Sequence, residues 1–135
     1  MAVRLSDAAA AAAAGDGTHK GLLDLIGAAP ILNFYTGTVN ASAESAPSGT
    51  LLGAVTLANF GSESNGTFTS SGGSVAAAAS GTAGCWQLTT AGAAIICDGA
   101  CGTSGSDINF SGGLAWLQGG TISVGTITFN ASIPH

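Results

Sequence analysis

The chain has 135 residues, of which two are basic, Arg4 and Lys20, and seven are acidic, for a net charge of −5. Charged residues make up 7% of it, against about 25% in an ordinary domain. A chain so poor in lysine and arginine cannot neutralise a phosphate backbone or an anionic bilayer, so neither nucleic acid nor a membrane is expected as a partner.

Glycine, with 22 residues, alanine, serine and threonine take the place of the missing charges. A freely diffusing protein normally keeps a mixed charged surface. Its lack points to a surface covered by neighbours, or to a neutral hydroxyl-rich face. It favours an assembled structural protein over a catalyst. The length fits one small domain. Leu, Ile, Val and Phe form only about a fifth of the chain, so a thin β core is expected, with assembly supplying further burial.

In chain order, residues 3–26 read as helical, through Val3, Leu5 and the alanine run Ala8–Ala14. Ser6 or Asp7 caps that run. Gly15, Asp16 and Gly17 break it, and Leu22, Leu23, Leu25 and Ile26 form a second apolar stripe ended by Gly27 and Pro30. The alanine run is too short and too weakly apolar to span a bilayer. Asp7 and Asp16 bracket it, which does not fit a signal peptide, and a cytoplasmic start is expected.

After Pro30 the pattern changes to strands. Ile31–Thr36 is the first, followed by a long polar loop over Gly37–Gly49. Leu51–Ala58 is the second, with Leu51, Val55 and Leu57 on one face at period two. Phe60–Gly73 reads as a Gly/Ser/Asn-rich stretch anchored by Phe68, and Val75–Ala79 as a thin strand. Thr82–Thr90 is stronger, with Trp86, Leu88 and Thr90 opposite Cys85 and Gln87. It forms a hairpin with Ala93–Asp98 across Thr90, Ala91 and Gly92. Trp116 sits in a glycine-bounded segment, either anchoring a loop or plugging an interface.

Ile122 and Val124 alternate up to Gly125, after which Ile127, Phe129, Ala131 and Ile133 alternate on the other parity. A bulge at Gly125, or burial of both faces, would reconcile the two sets. No fixed repeat supports a solenoid. The expectation is therefore mainly β: an antiparallel β-sandwich or barrel-like domain over 30–135, with an N-terminal helical arm over 1–29.

Groups able to do chemistry are sparse. His19 and His135 lie near the two ends, remote from any nucleophile motif. Asp98 and Asp107 read as turn acids rather than a paired-carboxylate site. The glycine-rich segments lack a Gly-Lys-Ser/Thr phosphate loop, and no calcium-loop spacing of acids occurs. Four Asn-X-Ser/Thr triplets, at Asn40, Asn65, Asn109 and Asn130, are of the number expected by chance. Cys85, Cys97 and Cys101 are an odd set with neither redox nor zinc spacing. They read as packing groups, with Cys85 and Cys97 facing each other across the hairpin and Cys101 in an exposed loop. No cofactor, metal or small-molecule ligand is expected. The interface candidates are Val3, Leu5, Leu22, Leu23, Ile26 and Trp116.

Four segments carry a resemblance. They are Met1–Ala9 (MAVRLSDAA), Asn33–Thr38 (NFYTGT), Ala46–Leu52 (APSGTLL) and Gly102–Asn109 (GTSGSDIN). Together they look like a widespread group of small bacteriophage and prophage proteins encoded among virion structural genes. The resemblance runs over nearly the whole chain. It implies a virion protein assembled in the host cytoplasm and supplies no catalytic residue. It does not by itself say head or tail; a small β domain with an N-terminal arm suits a capsid decoration or cement protein, contacting the major capsid protein and copies of itself, and that is the expectation. The alternative is a tail- or fibre-associated module binding host surface glycan, for which Trp86, Trp116 and Tyr35 would line the sugar face.

Overall fold

The structure, a computed structural model, describes residues 4–6, 26–38, 47–58, 60, 67–103, 108–110 and 113–130. These form the strands β1 (Arg4–Leu5), β2 (Ile31–Thr36), β3 (Leu51–Thr56), β4 (Thr67–Ser70), β5 (Gly73–Ala76) and β6 (Gly81–Thr89). They continue with β7 (Ile95–Gly102), β8 (Ile108–Asn109), β9 (Ala115–Trp116), β10 (Thr121–Val124) and β11 (Ile127–Asn130). The protein is mainly β and its pairing is antiparallel, except between β7 and β8.

The main sheet runs β1-β7-β6-β2-β3, with β8 on β7 and β9 on β6. Its register sorts the residues into rows across the strands. One row reads Leu5, Cys97, Leu88, Leu32, Val55, and the next on that face Gly99, Trp86, Phe34, Gly53. This face is the core, where Leu32, Phe34, Val55, Trp86, Leu88 and Cys97 are all buried. Gly53 leaves a gap in it. A Cβ there would meet Ile122 Cδ1 at 2.6 Å, so the missing side chain is what lets β10 settle on β3.

The strands between β4 and β11 resolve the change of phase at Gly125. β5 pairs β10 from Gly73↔Val124 to Ala76↔Thr121, and β4 pairs β11 from Thr67↔Asn130 to Ser70↔Ile127. Each pair of residue numbers sums to 197, so both ladders belong to one ribbon without an inserted residue. The ribbon breaks where Gly72, at φ 93°, crosses Val124 and Gly125. Ile122 and Val124 are buried, and Ile127 also packs on the core. A break in the ladder does what a bulge at Gly125 was expected to do. The expected polar stretch before Gly73 contains strand β4, whose Thr67, Phe68 and Thr69 suit a strand and which pairs with β11.

Other expectations are corrected. Arg4 and Leu5 are strand, not helix, since Ser6 N–H bonds Ile96 O at 2.8 Å and ties this segment to β7. The rest of the expected helix, 7–25, lies outside the described residues. Leu51 is 39% exposed, whereas Leu52 is fully buried. The register shifts between Phe34 and Tyr35, which leaves Leu52 as the extra residue and turns Leu51 to the other face. Strand β7 continues past Asp98 to Gly102, so Asp98 is a strand residue and not a turn acid. The hairpin turn lies at Thr90–Ala94, with Ala93 at φ 71° and Ala93 N–H bonded to Thr90 O at 2.9 Å.

Candidate functional site

The second face of the main sheet carries a polar row. In register it reads Arg4, Asp98, Gln87, Asn33, Ala54. Asp98 and Gln87 are buried, Asn33 is half-buried and Ala54 is exposed, so the row runs from interior to surface. Asn33 Nδ2 donates to Gln87 O at 3.2 Å and to Thr89 Oγ1 at 3.5 Å. No buried side-chain nitrogen or oxygen among the described residues lacks a hydrogen-bond partner, so the carboxylate of fully buried Asp98 is satisfied. One of the two basic residues of the chain therefore stands at the cross-strand position of a buried acid.

The thiols divide between the two faces. Cys97 is in the Leu88 row and Cys101 is four residues further on the same side, both inside the core cluster. Cys85 is opposite Ala100 and Tyr35, on the side of Gln87. Cys85 and Cys97 therefore do not face each other across the hairpin, because the register sets Cys97 against Leu88. Cys101 is 9% exposed, not a loop thiol, because β7 continues through it. All three are free. Burial, and then the charge of Asp98, push the Cys97 thiol far above its usual range and raise that of Cys85. Burial, and then Cys85, raise Tyr35. The thiolate is the reactive form, so these shifts keep the sulfurs neutral and act against nucleophilic use.

Of the interface candidates, Val3, Leu22 and Leu23 lie outside the described residues. Leu5 is in β1, across from Cys97. Ile26 is 1% exposed, in the core of its own chain. Trp116 is half-buried in a three-ring cluster: its centroid lies 5.4 Å from Phe34 and 5.1 Å from Phe110, both edge-on. Phe34 and Phe110 close the triangle at 5.4 Å. Trp86, 5% exposed, donates its indole N–H to Ala100 O at 3.2 Å. His19, Asp107 and His135 lie outside the described residues. Among those described, no three His, Cys, Asp or Glu side chains gather as metal ligands, and no helix is long and apolar enough to cross a membrane.

The outer surface is the most distinctive feature. Every exposed residue among those described is uncharged. Nearly all are Gly, Ala, Ser or Thr; the large exceptions are Leu51, Gln118 and Leu117, which is 76% exposed beside Trp116. The only charged residue with a described side-chain environment is Asp98, and it is buried. Sequence reasoning found the poverty of charge but missed the polar row. The signal was there, since Gln87 and Asp98 stand at matching positions once β7 is continued to Cys101.

Comparison with known proteins adds no relative, since no family model, curated protein or solved structure matches the chain.

Proposed function

We propose that this chain is a non-catalytic structural protein of a bacteriophage virion, a capsid decoration or cement protein that stabilises the shell through contacts between neighbouring subunits. The observation that carries the reading is that the described residues at the surface are uncharged and mostly small. Such a skin gives a lone protein little solubility, yet it packs closely on another neutral surface without desolvating ions. Its partners are then the major capsid protein and copies of itself, in a particle assembled in the host cytoplasm. The resemblance of its four segments to virion proteins points the same way.

A sandwich- or barrel-like packing of the domain belongs to this proposal. Ala78 N–H bonds Leu52 O at 2.8 Å and Ala58 N–H bonds Gly72 O at 2.9 Å. These two bonds join the outer edge of β3 to that of β5 at both ends and carry the main sheet over into the ribbon. Decoration is favoured over a glycan-binding tail module by where the aromatic rings go. Trp86 is in the core, and Trp116 is half-buried and packed perpendicular to two phenylalanines.

Peptide mass analysis of purified particles tests the proposal. The chain is expected at high copy. Recovery only with the tail tip supports the glycan-binding alternative, and absence from particles overturns the virion reading.

A further inference from the structure

The second face of the main sheet is buried where no described strand covers it. On β6 it carries Cys85, Gln87 and Thr89, and on β7 Asp98, all buried. Across β2 the same face is half-buried at Ile31, Asn33 and Tyr35, and on β3 it is exposed at Ala54 and Thr56. Among the described residues every strand outside the main sheet belongs to the ribbon. The ribbon packs on the core face, where Ile122 sits against Gly53. The cover over β6 and β7 therefore comes from another part of the chain.

Its two ends single out one segment. Ser6 is fixed at the start of β7, with its N–H on Ile96 O at 2.8 Å and its hydroxyl on Ile95 O at 2.7 Å. Ile26 is buried in the core cluster, and buried Pro30 leads into β2. The strand order β1-β7-β6-β2 makes the chain between them pass from the outer edge of β7 to the far side of β6. Three strand spacings of about 4.8 Å separate β1 from β2, a gap that about five extended residues would bridge. Residues 7–25 are several times longer than that, and longer than any other stretch outside the described residues. We propose that residues 7–25 lie on the second face of β6 and β7 of their own chain, so that the main sheet is covered on both sides.

The composition of the segment suits this place. The run Ala8–Ala14 and Leu22, Leu23 and Leu25 offer apolar side chains to a sheet face, and the ribbon already occupies the other face. Leu22 and Leu23, expected to meet a neighbouring subunit, would instead be spent inside their own chain. Neighbours would then meet the neutral outer surface and not an N-terminal arm. This inference goes beyond the virion reading and does not depend on it.

Trypsin digestion of the purified chain, away from particles, tests it. The enzyme has two sites, Arg4 in the paired strand β1 and Lys20 in the segment. Cleavage at Lys20 should be about a hundredfold slower than in a synthetic peptide of residues 7–25, because it waits for local opening. The rate should not change on dilution; a rate that rises on dilution places the segment on a second copy and overturns the proposal. Leu22→Asp together with Leu23→Asp should release the segment and speed the cut. It should also speed modification of Cys85, on the second face, about tenfold, while Cys97 and Cys101 on the core face stay protected. Reaction of all three thiols would mean that this variant is unfolded, and the wild-type digestion then decides alone. A folded wild type cut at Lys20 as fast as the peptide overturns the proposal. So does a folded variant whose cleavage and thiol reactivity match the wild type.

Discussion

Asp98 shows how one residue can be misread when its strand is cut short. Taken with Gly99 it resembles a turn acid, yet β7 runs through it and buries it beside Gln87 and across from Arg4. Opposite charges at one cross-strand position stabilise each other. A double-mutant cycle of Arg4→Gln and Asp98→Asn, read by urea unfolding, should show coupling of about 0.2–1 kcal/mol. Strict additivity would mean that Asp98 is held by other groups. Cys97 makes a second prediction, about pH. Below its ordinary value of about 8.5 the thiol is protonated in both states and stability is unaffected. Above that value the unfolded chain ionises while the buried thiol stays neutral, so the folded state binds more protons. Stability should then fall by about 1.4 kcal/mol per pH unit. Cys85 adds to the slope, because it too is raised. Urea midpoints measured from pH 7.5 upward should show the decline, and Cys97→Ala should make it shallower.

Among the elements, period two and turn residues located the strands that alternate cleanly. Ile31–Thr36 has the expected bounds, and β6 is displaced by one residue at each end from the expected Thr82–Thr90. What was not legible depends on partners distant in sequence. Arg4 and Leu5 have helix-favouring neighbours but take the edge of β7, more than ninety positions away. Strand β4 is four residues, Thr67–Ser70, set in a stretch of Ser, Asn and Gly that hides it, and its partner β11 lies more than fifty positions away. Leu51 and Leu52 exchange roles through a register shift set by Tyr35, a choice no local pattern contains. Two glycines test the packing of the ribbon. Gly72 sits at positive φ with the backbone oxygens of Val124 and Gly125 against it, so Gly72→Ala meets both strain and immovable atoms. Its cost should be about 3 kcal/mol or more. Gly53→Ala meets only the mobile end of Ile122 and should cost about 1 kcal/mol. Equal losses in thermal unfolding would contradict this account of the crossing.

For the whole molecule, the distribution of charge matters more than its amount. Arg4 and Asp98 share one cross-strand position. Lys20 and the other six acids, Asp7, Asp16, Asp24, Glu44, Glu63 and Asp107, all fall outside the described residues. The described exterior is left with hydroxyls, methyls and exposed backbone, and contact through it exchanges neutral surface for neutral surface. Such contact has no ion pairs for salt to screen, and salt acts only on the weak mutual repulsion of two −5 chains. On the proposed virion role, self-association of the chain and its attachment to particles should therefore hold steady or strengthen slightly from low to high salt. A contact built on charged pairs would weaken steeply over the same range. Sedimentation of the chain and its retention on particles, each followed across a sodium chloride series, measure the two. Release from particles at raised salt would show that the acidic segments, not the neutral skin, hold this protein to its neighbours.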